Sequence, residues 1–363
     1  MTTTKSPPLS LAILDDYFAL ATPLFESLNV PILTIHSYTN TLDASKPADL
    51  SALVECLKPY DIISSMRERT AFPAALLTQL PKLKLLLNSG ARNASIDLVC
   101  AKERGIVVTG TLGDIPADPS ERLAELPPPK GRSTVIQHAW AQVLALASRI
   151  GADARAWEAR SDAWQTGCMV SLYGKTLGIV GAGKLGTGMA KFGVLAFGMT
   201  VIAWSENLTQ EKADEAAIGA GLPKGTFQAV GKEELFRAAD VLSLHLVLSD
   251  RSRGVVGAEE LSWMKPSAIL SNTSRAGLID ESALVHVLKT GRIGGACLDV
   301  FWEEPLPKDS IWRRTSEWSQ NEVVASPHMG YVNKGTMGRW YQEQAAEVQR
   351  WVKGEAVRTL MGG

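Results

Sequence analysis

Residues 176–204 read TLGIVGAGKLGTGMAKFGVLAFGMTVIAW, and this stretch decides the fold. An apolar strand pattern leads into a Gly-x-Gly-x-x-Gly turn at residues 181–186, and a helical pattern begins directly behind it. The next strand pattern ends about 20 residues after the turn, which is the length of a βαβ unit that binds a dinucleotide.

Each part of the turn has its own physical task. Gly181 permits the tight bend, Gly183 lets the backbone approach a pyrophosphate, and Gly186 lets the helix lie close to the strand. The helix start at Lys184 and Leu185 supplies free N–H groups and the positive end of the helix dipole. A glycine turn without a ligand is the alternative, but the flanking strand and helix favour a bound dinucleotide.

The end of the second strand separates NAD from NADP, because an acidic side chain there binds the ribose 2′-hydroxyl and repels a 2′-phosphate. That position falls on Ser205, and Glu206 follows it. No Arg or Lys occurs between the end of this strand at Trp204 and Lys212. We expect Ser205 and Glu206 to border the adenosine ribose, and the cofactor to be NAD or NADP with a lean towards NAD.

Composition excludes several classes of protein. The chain has 363 residues, enough for two domains, and its net charge of -1 disfavours a nucleic-acid partner. No apolar stretch reaches the ~20 residues of a membrane helix, and the N-terminus does not resemble a signal peptide. The four cysteines lie far apart without a Cys-x-x-Cys motif, so we expect reduced thiols, no metal site and a cytoplasmic protein.

Short apolar runs alternate with helical patterns, which predicts an α/β fold with parallel strands. In the first third we expect the strands Leu9–Leu14, Pro31–His36, Asp61–Ser65, Leu83–Leu87 and Ile106–Thr109. Later we expect Thr176–Val180, Thr200–Trp204, Val241–His245, Ala268–Asn272, Gly295–Val300 and Glu322–Ala325. Long helices are predicted over Thr134–Ile150 and Gly335–Lys353. Between these blocks, residues 111–132 contain five prolines, which favours a surface loop over a functional lid.

Four residues with side chains suited to carbonyl chemistry lie near the carboxyl ends of predicted strands or in the loops beyond them: Arg275, Asp299, Glu304 and His328. Each alone has an ordinary structural explanation, as a loop cation, a cap, a surface charge or a satisfied histidine. Ligands of open α/β sheets bind at the carboxyl ends of the strands, so the set together favours one site.

The chain resembles the D-isomer-specific 2-hydroxyacid dehydrogenases over most of its length. The resemblance rests on KLKLLLNSGARNASIDLVCAKERGIVVTGT, GKTLGIVGAGKLG, HLVLSDRSRGVVGAEELSWMKPSAILSNTSRAGLIDE, GRIGGACLDVFWEEPLP and SPHMGY. It implies that Arg275 orients the substrate, that Glu304 and His328 form the catalytic acid/base pair, and that Asp299 lies beside the nicotinamide. We also expect His245 and Thr273 to contact the cofactor.

The chemistry of these side chains agrees with those roles. A histidine exchanges protons near neutral pH, and a neighbouring glutamate orients it and favours its protonated form. An arginine binds a carboxylate through paired N–H donors.

In the family, backbone N–H groups of the loop Ser89–Asn93 bind the substrate carboxylate, so we expect Gly90, Ala91 and Arg92 at the substrate. Met66 and Arg67 are expected to border the same cleft. Family members usually have Gly where Arg92 stands, so Arg92 either pairs with a second acidic group of the substrate or points to solvent.

The resemblance also implies an architecture of two lobes of doubly wound parallel sheet. A flavodoxin-like substrate domain would comprise residues 1–135 and 328–363, and a Rossmann NAD(P)-binding domain residues 136–327. The cleft between the lobes would close on the substrate, and two copies would form a homodimer through the cofactor lobe.

The expected activity is that of an NAD(P)-dependent 2-hydroxyacid dehydrogenase or 2-keto acid reductase, acting on glyoxylate, hydroxypyruvate or bulkier keto acids. Formate dehydrogenase is less favoured, because it pairs its histidine with glutamine and Glu304 stands here. Phosphite oxidation, which uses the same three residue types, stays open. A dinucleotide-sensing regulatory protein, like the dehydrogenase-related corepressors, is the alternative from another class, and turnover of NAD(P)H with keto acids distinguishes it.

Overall fold

The computed structural model describes residues 8–28, 30, 32–112, 133–162 and 164–360. The backbone divides into two compact units, one formed by Met1–Glu125 with Asn333–Gly363 and the other by Leu126–Val332. Each unit contains one sheet whose strands are all parallel. The predicted α/β fold class is therefore confirmed.

The first unit contains a five-stranded sheet in the order β2-β1-β3-β4-β5, which is the flavodoxin-like order. Its elements are β1 (Leu9–Leu14), α1 (Thr22–Glu26), β2 (Ile32–Tyr38), α2 (Pro47–Leu57), β3 (Ile62–Ser65), α3 (Ala74–Leu77), β4 (Leu85–Asn88), α4 (Leu98–Glu103) and β5 (Val107–Thr109). Every residue of β3 and β4 is buried, as expected for parallel strands covered on both faces. All five predicted strands are present.

The second unit contains a seven-stranded sheet in the order β12-β11-β10-β9-β6-β7-β8. Its elements are α5 (Thr134–Ala147), α6 (Ile150–Glu158), β6 (Thr176–Val180), α7 (Lys184–Phe197), β7 (Thr200–Trp204), α8 (Gln210–Gly219), β8 (Phe227–Ala229), α9 (Lys232–Ala238), β9 (Val241–Leu244), α10 (Ala258–Trp263), β10 (Ile269–Asn272), α11 (Glu281–Lys289), β11 (Gly295–Leu298) and β12 (Glu322–Ala325). The chain reverses its strand order between β6 and β9, so this pair forms the topological switch point of a Rossmann sheet, where ligands bind.

The final helix, α12 (Lys334–Val352), packs on the first unit although it follows the second in sequence. Gln344 on this helix is fully buried and accepts a hydrogen bond from the Ser64 hydroxyl at 2.6 Å. Its amide nitrogen donates to the carbonyl of Ser65 at 3.2 Å. A polar residue thus fixes the helix against the end of β3.

Two sequence expectations differ from the structure, and a third falls mostly outside the residues it describes. The helix predicted over Thr134–Ile150 stops at Ala147, and Arg149, with φ +58, redirects the chain into α6. Strand β8 was not predicted, because only the first of its three residues is buried and the apolar pattern is too short to register. The proline-rich stretch, apart from residues 111 and 112, lies outside the described residues.

Candidate active site

The glycine turn has the geometry that its three glycines predict. Gly181 has φ +99, a conformation that favours glycine. A Cβ added to Gly186 would lie 2.1 Å from the carbonyl oxygen of Gly181, so only glycine lets α7 start this close to the strand. A Cβ added to Gly183 would meet nothing within 4 Å, which leaves open space above the start of the helix.

A pyrophosphate fits this turn, as three observations indicate. Gly183 caps α7 without a side-chain hydrogen bond, so the first N–H groups of a 14-residue helix stay available to an anion. Gly183 and Lys184 are exposed, and Leu185 is half-buried. Buried Thr273, at the carboxyl end of β10, has a hydroxyl with no hydrogen-bond partner among the described residues. Such an unsatisfied buried hydroxyl is suited to receive a polar group of a bound dinucleotide.

The predicted ribose position at the end of β7 is accessible. Ser205 is half-buried and Glu206 is exposed. Lys212 turns back towards this loop, and its ammonium group donates to the carbonyl of Asn207 at 2.9 Å. The loop therefore carries one acidic and one basic group beside the position that distinguishes the two cofactors.

His245 follows β9 and lies against the glycine turn, because a Cβ on Gly181 would be 3.0 Å from the His245 carbonyl carbon. Its Nε2 lies 2.9 Å from the Ser243 hydroxyl. Burial lowers the pKa of His245 to about 4. The imidazole is therefore neutral at physiological pH.

The structure brings His328 and Glu304 together. Nδ1 of His328 lies 2.6 Å from one carboxylate oxygen of Glu304, and the other oxygen accepts the N–H of Phe301 at 2.8 Å. The carboxylate therefore fixes the proton on Nδ1 and leaves Nε2 without a partner among the described residues. His328 is 24% exposed at its side chain, so Nε2 is accessible to a substrate.

Arg275 lies at the carboxyl end of β10, in a turn held by polar contacts. The Asn272 side chain donates to the carbonyl of Arg275 at 3.0 Å and accepts the N–H of Ser274 at 3.1 Å. One guanidinium nitrogen donates to the Ser274 carbonyl at 2.8 Å. Ala276, which follows Arg275, does not adopt a positive φ, so an alanine fits here without strain.

Asp299, at the carboxyl end of β11, is 1% exposed and both of its oxygens accept hydrogen bonds from the chain. One oxygen accepts the N–H of Met329 at 2.7 Å and the hydroxyl of Ser326 at 2.6 Å, and the other accepts the N–H of Gly330 at 2.9 Å. Burial raises the pKa of Asp299, but hydrogen bonds from His138, Ser326 and the two backbone N–H groups outweigh it, so the pKa lies below its usual range. The carboxylate thus anchors the turn that carries the catalytic histidine candidate.

The predicted substrate loop follows β4 in the first unit. The Asn88 amide donates to the carbonyl groups of residues 89 and 90, at 3.1 and 3.0 Å, and so turns both inward. The N–H of Gly90 donates to the Thr111 hydroxyl at 2.7 Å. The N–H groups of Ala91 and Arg92 have no partner within the described part of the chain. Two adjacent donors are therefore available to a carboxylate.

Arg67 follows β3 and has a left-handed backbone conformation, with φ +54. Its N–H donates to the Ser89 hydroxyl at 2.9 Å, and its carbonyl accepts from the Asn93 amide at 2.7 Å. The guanidinium lies against Gly90, where a Cβ would be 2.3 Å from Nη1, and 5.9 Å from the centre of the Trp340 ring. A cation thus covers one side of the substrate loop.

Two predicted substrate residues have other tasks. Met66 is 1% exposed, and its sulfur accepts the Ser89 hydroxyl at 3.1 Å, so its side chain is part of the core. Gly90 is buried, and Thr111 occupies its N–H. Met66 and Gly90 therefore support the loop from within the first unit, and their predicted contacts with the substrate stay a prediction.

Sequence reasoning missed a polar cluster behind the site. His138 and Gln142 lie one turn apart on α5, and Gln142 is 3% exposed. Gln142 donates to the Ser326 hydroxyl at 2.7 Å. Two polar residues at positions i and i+4 on an otherwise apolar helix face were the available signal. No group of three or more metal-binding side chains occurs among the residues described, and none of their helices is long and apolar enough to cross a membrane.

Comparisons with known proteins agree with this geometry. Residues 140–330 match the family model described as "D-isomer specific 2-hydroxyacid dehydrogenase, NAD binding domain". The chain is 33% identical over 321 residues to a glyoxylate reductase of Aeropyrum pernix, covering 84% of this chain and 86% of that protein. It is 31% identical over 332 residues to a D-3-phosphoglycerate dehydrogenase of Synechocystis sp., covering 90% of this chain and 53% of that protein. The chain therefore spans about half the length of that relative.

The chain is also similar to a solved structure, the phosphoglycerate oxidoreductase from Vibrio cholerae O395, with a TM-score of 0.77 and 29% sequence identity. The superposition covers 95% of this chain and 99% of the chain in that structure. The Rossmann unit with its open glycine turn thus defines an NAD-binding oxidoreductase. The chain belongs to the D-isomer-specific 2-hydroxyacid dehydrogenases, which confirms the family and dinucleotide predictions and favours NAD as the cofactor.

The neutral state of His245 predicts a pH dependence of stability. An unfolded histidine takes up a proton below its ordinary pKa of about 6.5, whereas His245 in the folded protein resists protonation until about pH 4. The free energy of unfolding must therefore fall as pH drops from 6.5 towards 4, by up to about 1.4 kcal/mol per pH unit for this proton. Urea unfolding at several pH values measures this slope.

The variant His245→Gln keeps a polar side chain that can hydrogen-bond Ser243 but removes the titrating group. Its free energy of unfolding should therefore fall less steeply with decreasing pH, by the slope that one bound proton contributes. Exposed His286 provides the matched control, because His286→Gln should keep the wild-type slope. Equal slopes for wild type and His245→Gln would contradict the assignment.

Proposed function

We propose that this protein reduces 2-keto acids to 2-hydroxy acids, or catalyses the reverse oxidation, with NAD as the hydride carrier. The 2.6 Å bond between His328 and Glu304, at the carboxyl edge of a sheet whose glycine turn fits a dinucleotide, is the observation that carries this proposal. Bound NADH supplies the hydride that C2 of the keto acid accepts.

The chain's own residues provide the remaining steps. Nε2 of His328 donates the proton that the carbonyl oxygen takes up on reduction, because Glu304 occupies Nδ1 and leaves Nε2 for the substrate. Arg275 binds the substrate carboxylate and polarises the carbonyl. In the first unit, the N–H groups of Ala91 and Arg92, which have no partner among the described residues, are suited to bind a carboxylate. Arg67 borders the substrate from the β3 side.

For the cofactor, we assign the pyrophosphate to the helix start at Gly183, Lys184 and Leu185, with Gly181 and Gly186 shaping the turn. Ser205 and Glu206 border the adenosine ribose. Thr273 and Asp299 lie at neighbouring strand ends, β10 and β11, on the side that faces the nicotinamide. His245 supports the turn and contacts the cofactor as a neutral ring.

The substrates of the relatives define the first compounds to test. The Aeropyrum relative is named for glyoxylate, and a Thermotoga maritima relative, 32% identical over 289 residues, is named a hydroxypyruvate reductase. We propose small 2-keto acids of this size class as substrates. A regulatory dinucleotide sensor gains no support from these comparisons, and it would bind NADH tightly without consuming it.

Replacement of His328 tests the acid/base assignment. His328→Gln keeps a polar side chain but loses the titrating group, so kcat for glyoxylate and hydroxypyruvate should fall about 100- to 10,000-fold. The Kd for NADH should stay within about twofold of wild type, because the glycine turn is untouched. Steady-state NADH oxidation and fluorescence titration measure the two quantities. Exposed His286→Gln is the control, and near-normal kcat in His328→Gln would refute the assignment.

We propose that the second unit also forms a homodimer, because it exposes a group of large apolar side chains. Tyr173 and Trp164 are 82% and 78% exposed, and the Trp157 and Trp164 rings stack 5.8 Å apart. Further exposed members are Ile150, Met169, Val170, Phe192 and Leu195. Burial of such a surface between two copies removes it from water.

Light scattering coupled to gel filtration tests the dimer. The wild type should elute with twice the chain mass of 39.1 kDa. Trp164→Glu should shift the protein towards the monomer, whereas Ile218→Glu, at an exposed apolar position on α8, should not. A wild-type monomer at all concentrations would exclude the proposal.

We also propose a cytoplasmic location, since all four cysteines are free, including exposed Cys168. Free thiols persist in a reducing compartment. Fractionation of the source cells checks this, and recovery in an oxidising compartment would contradict it.

A further inference from the structure

His138 lies at the centre of the polar cluster behind the active-site turn. Its Nε2 is 2.8 Å from the Ser326 hydroxyl oxygen and 3.2 Å from the nearer oxygen of Asp299. The His138 side chain is 24% exposed and that of Asp299 is 1% exposed. One imidazole therefore contacts both the strand end of β11 and the residue that follows β12.

The hydrogen-bond inventory fixes the role of each group. A serine hydroxyl has one proton and two acceptor sites. Ser326 donates its proton to Asp299 at 2.6 Å and accepts from the Gln142 amide at 2.7 Å. Its remaining acceptor site receives Nε2–H of His138. Nε2 therefore carries a proton in this arrangement.

The cluster acts on a strained piece of backbone. His328 has φ +55, a left-handed conformation that is unfavourable for a non-glycine residue. The next two N–H groups, of Met329 and Gly330, are the ones that Asp299 holds. A Cβ on Gly330 would lie 3.2 Å from the Asp299 carboxylate, so the glycine permits this close approach. The strained turn persists because the carboxylate holds it from below.

We propose that His138 is a positioning residue that keeps the His328 ring aligned on Glu304. It acts through Ser326 and Asp299: the Nε2–H donor satisfies the hydroxyl, the hydroxyl and the imidazole orient the buried carboxylate, and the carboxylate fixes the turn. This inference rests on the proposed role of His328 in proton transfer. His138 itself touches neither substrate nor cofactor in this account.

Loss of the donor should reduce proton transfer more than binding. His138→Leu removes Nε2–H at similar side-chain size, and kcat should fall about 10- to 100-fold, the effect of a small misplacement of a reacting group. The Kd for NADH should stay within about twofold of wild type, because the glycine turn is remote in sequence and unaltered.

A conservative variant separates positioning from simple packing. His138→Gln can place its amide nitrogen where Nε2 stands and should restore kcat to within about threefold of wild type. His286→Leu, on an exposed face of α11, is the matched control and should have no effect. Should His138→Leu fail to fold, Ser326→Ala removes the hydroxyl instead and should lower kcat by a similar factor.

A second readout does not depend on turnover. The chain has five histidines, so the ring signals of His328 can be assigned by NMR through single substitutions. In His138→Leu the His328 ring signals should shift or broaden, and in His286→Leu they should not. This measurement tests the positioning role even if the wild type reduces no keto acid, an outcome that would count against the proposed function alone.

The inference is overturned if His138→Leu keeps kcat within twofold of wild type with unchanged His328 signals. It is also overturned if His138→Gln is as impaired as His138→Leu, or if kcat and NADH affinity fall together by the same factor. The last result would mean that His138 only stabilises the fold.

Discussion

All seven strands of the second unit run parallel, so their carboxyl ends meet at one edge of the sheet. That constraint alone places the glycine turn after β6, Arg275 after β10, Asp299 after β11 and His328 after β12 on a common edge. The candidate site residues lie at the strand ends and in the loops that follow, so the apolar strands themselves contribute only the scaffold. A stable sheet can therefore carry a site whose residues come from distant parts of the sequence.

The edge is held by buried polar groups as well as by packing. Asp299 is nearly inaccessible, and a buried carboxylate without partners would be costly. Here it accepts hydrogen bonds from two backbone N–H groups, a hydroxyl and an imidazole, which offset the cost of removing it from water. The same bonds keep the left-handed conformation of His328. The stability of this edge and the geometry of the candidate catalytic residues thus depend on one carboxylate.

Much of the fold follows from sequence because the signals are local. A strand, three spaced glycines and a helix occupy residues 176–197; Gly181 and Gly186 meet steric demands that favour glycine, and Gly183 leaves open space at the start of the helix. Strands β6, β7 and β12 begin and end where the apolar pattern predicts. Strand β8 was missed because one buried position in three residues is not a pattern.

The site was less predictable because its supporting contacts join residues far apart in sequence. The pairing of His328 with Glu304 followed from the family resemblance and is present in the structure. Nothing local shows that the Met66 side chain faces inward, or that Thr111 occupies the N–H of Gly90. The contact between His138 and Asp299 spans 161 residues, and no short-range pattern reports it. Such contacts become visible only once the sheet order is known.

Hydride transfer to C2 of a keto acid at the carboxyl edge of the Rossmann sheet can be followed with an isotope label. The wild-type protein would be incubated with NADH that carries deuterium at both hydrogen positions of C4 of the nicotinamide, together with glyoxylate, hydroxypyruvate or a larger 2-keto acid. NMR of the product should show deuterium bonded to C2 and, for substrates that give a chiral product, a single enantiomer. NADH that binds tightly but leaves every keto acid without deuterium would contradict the account.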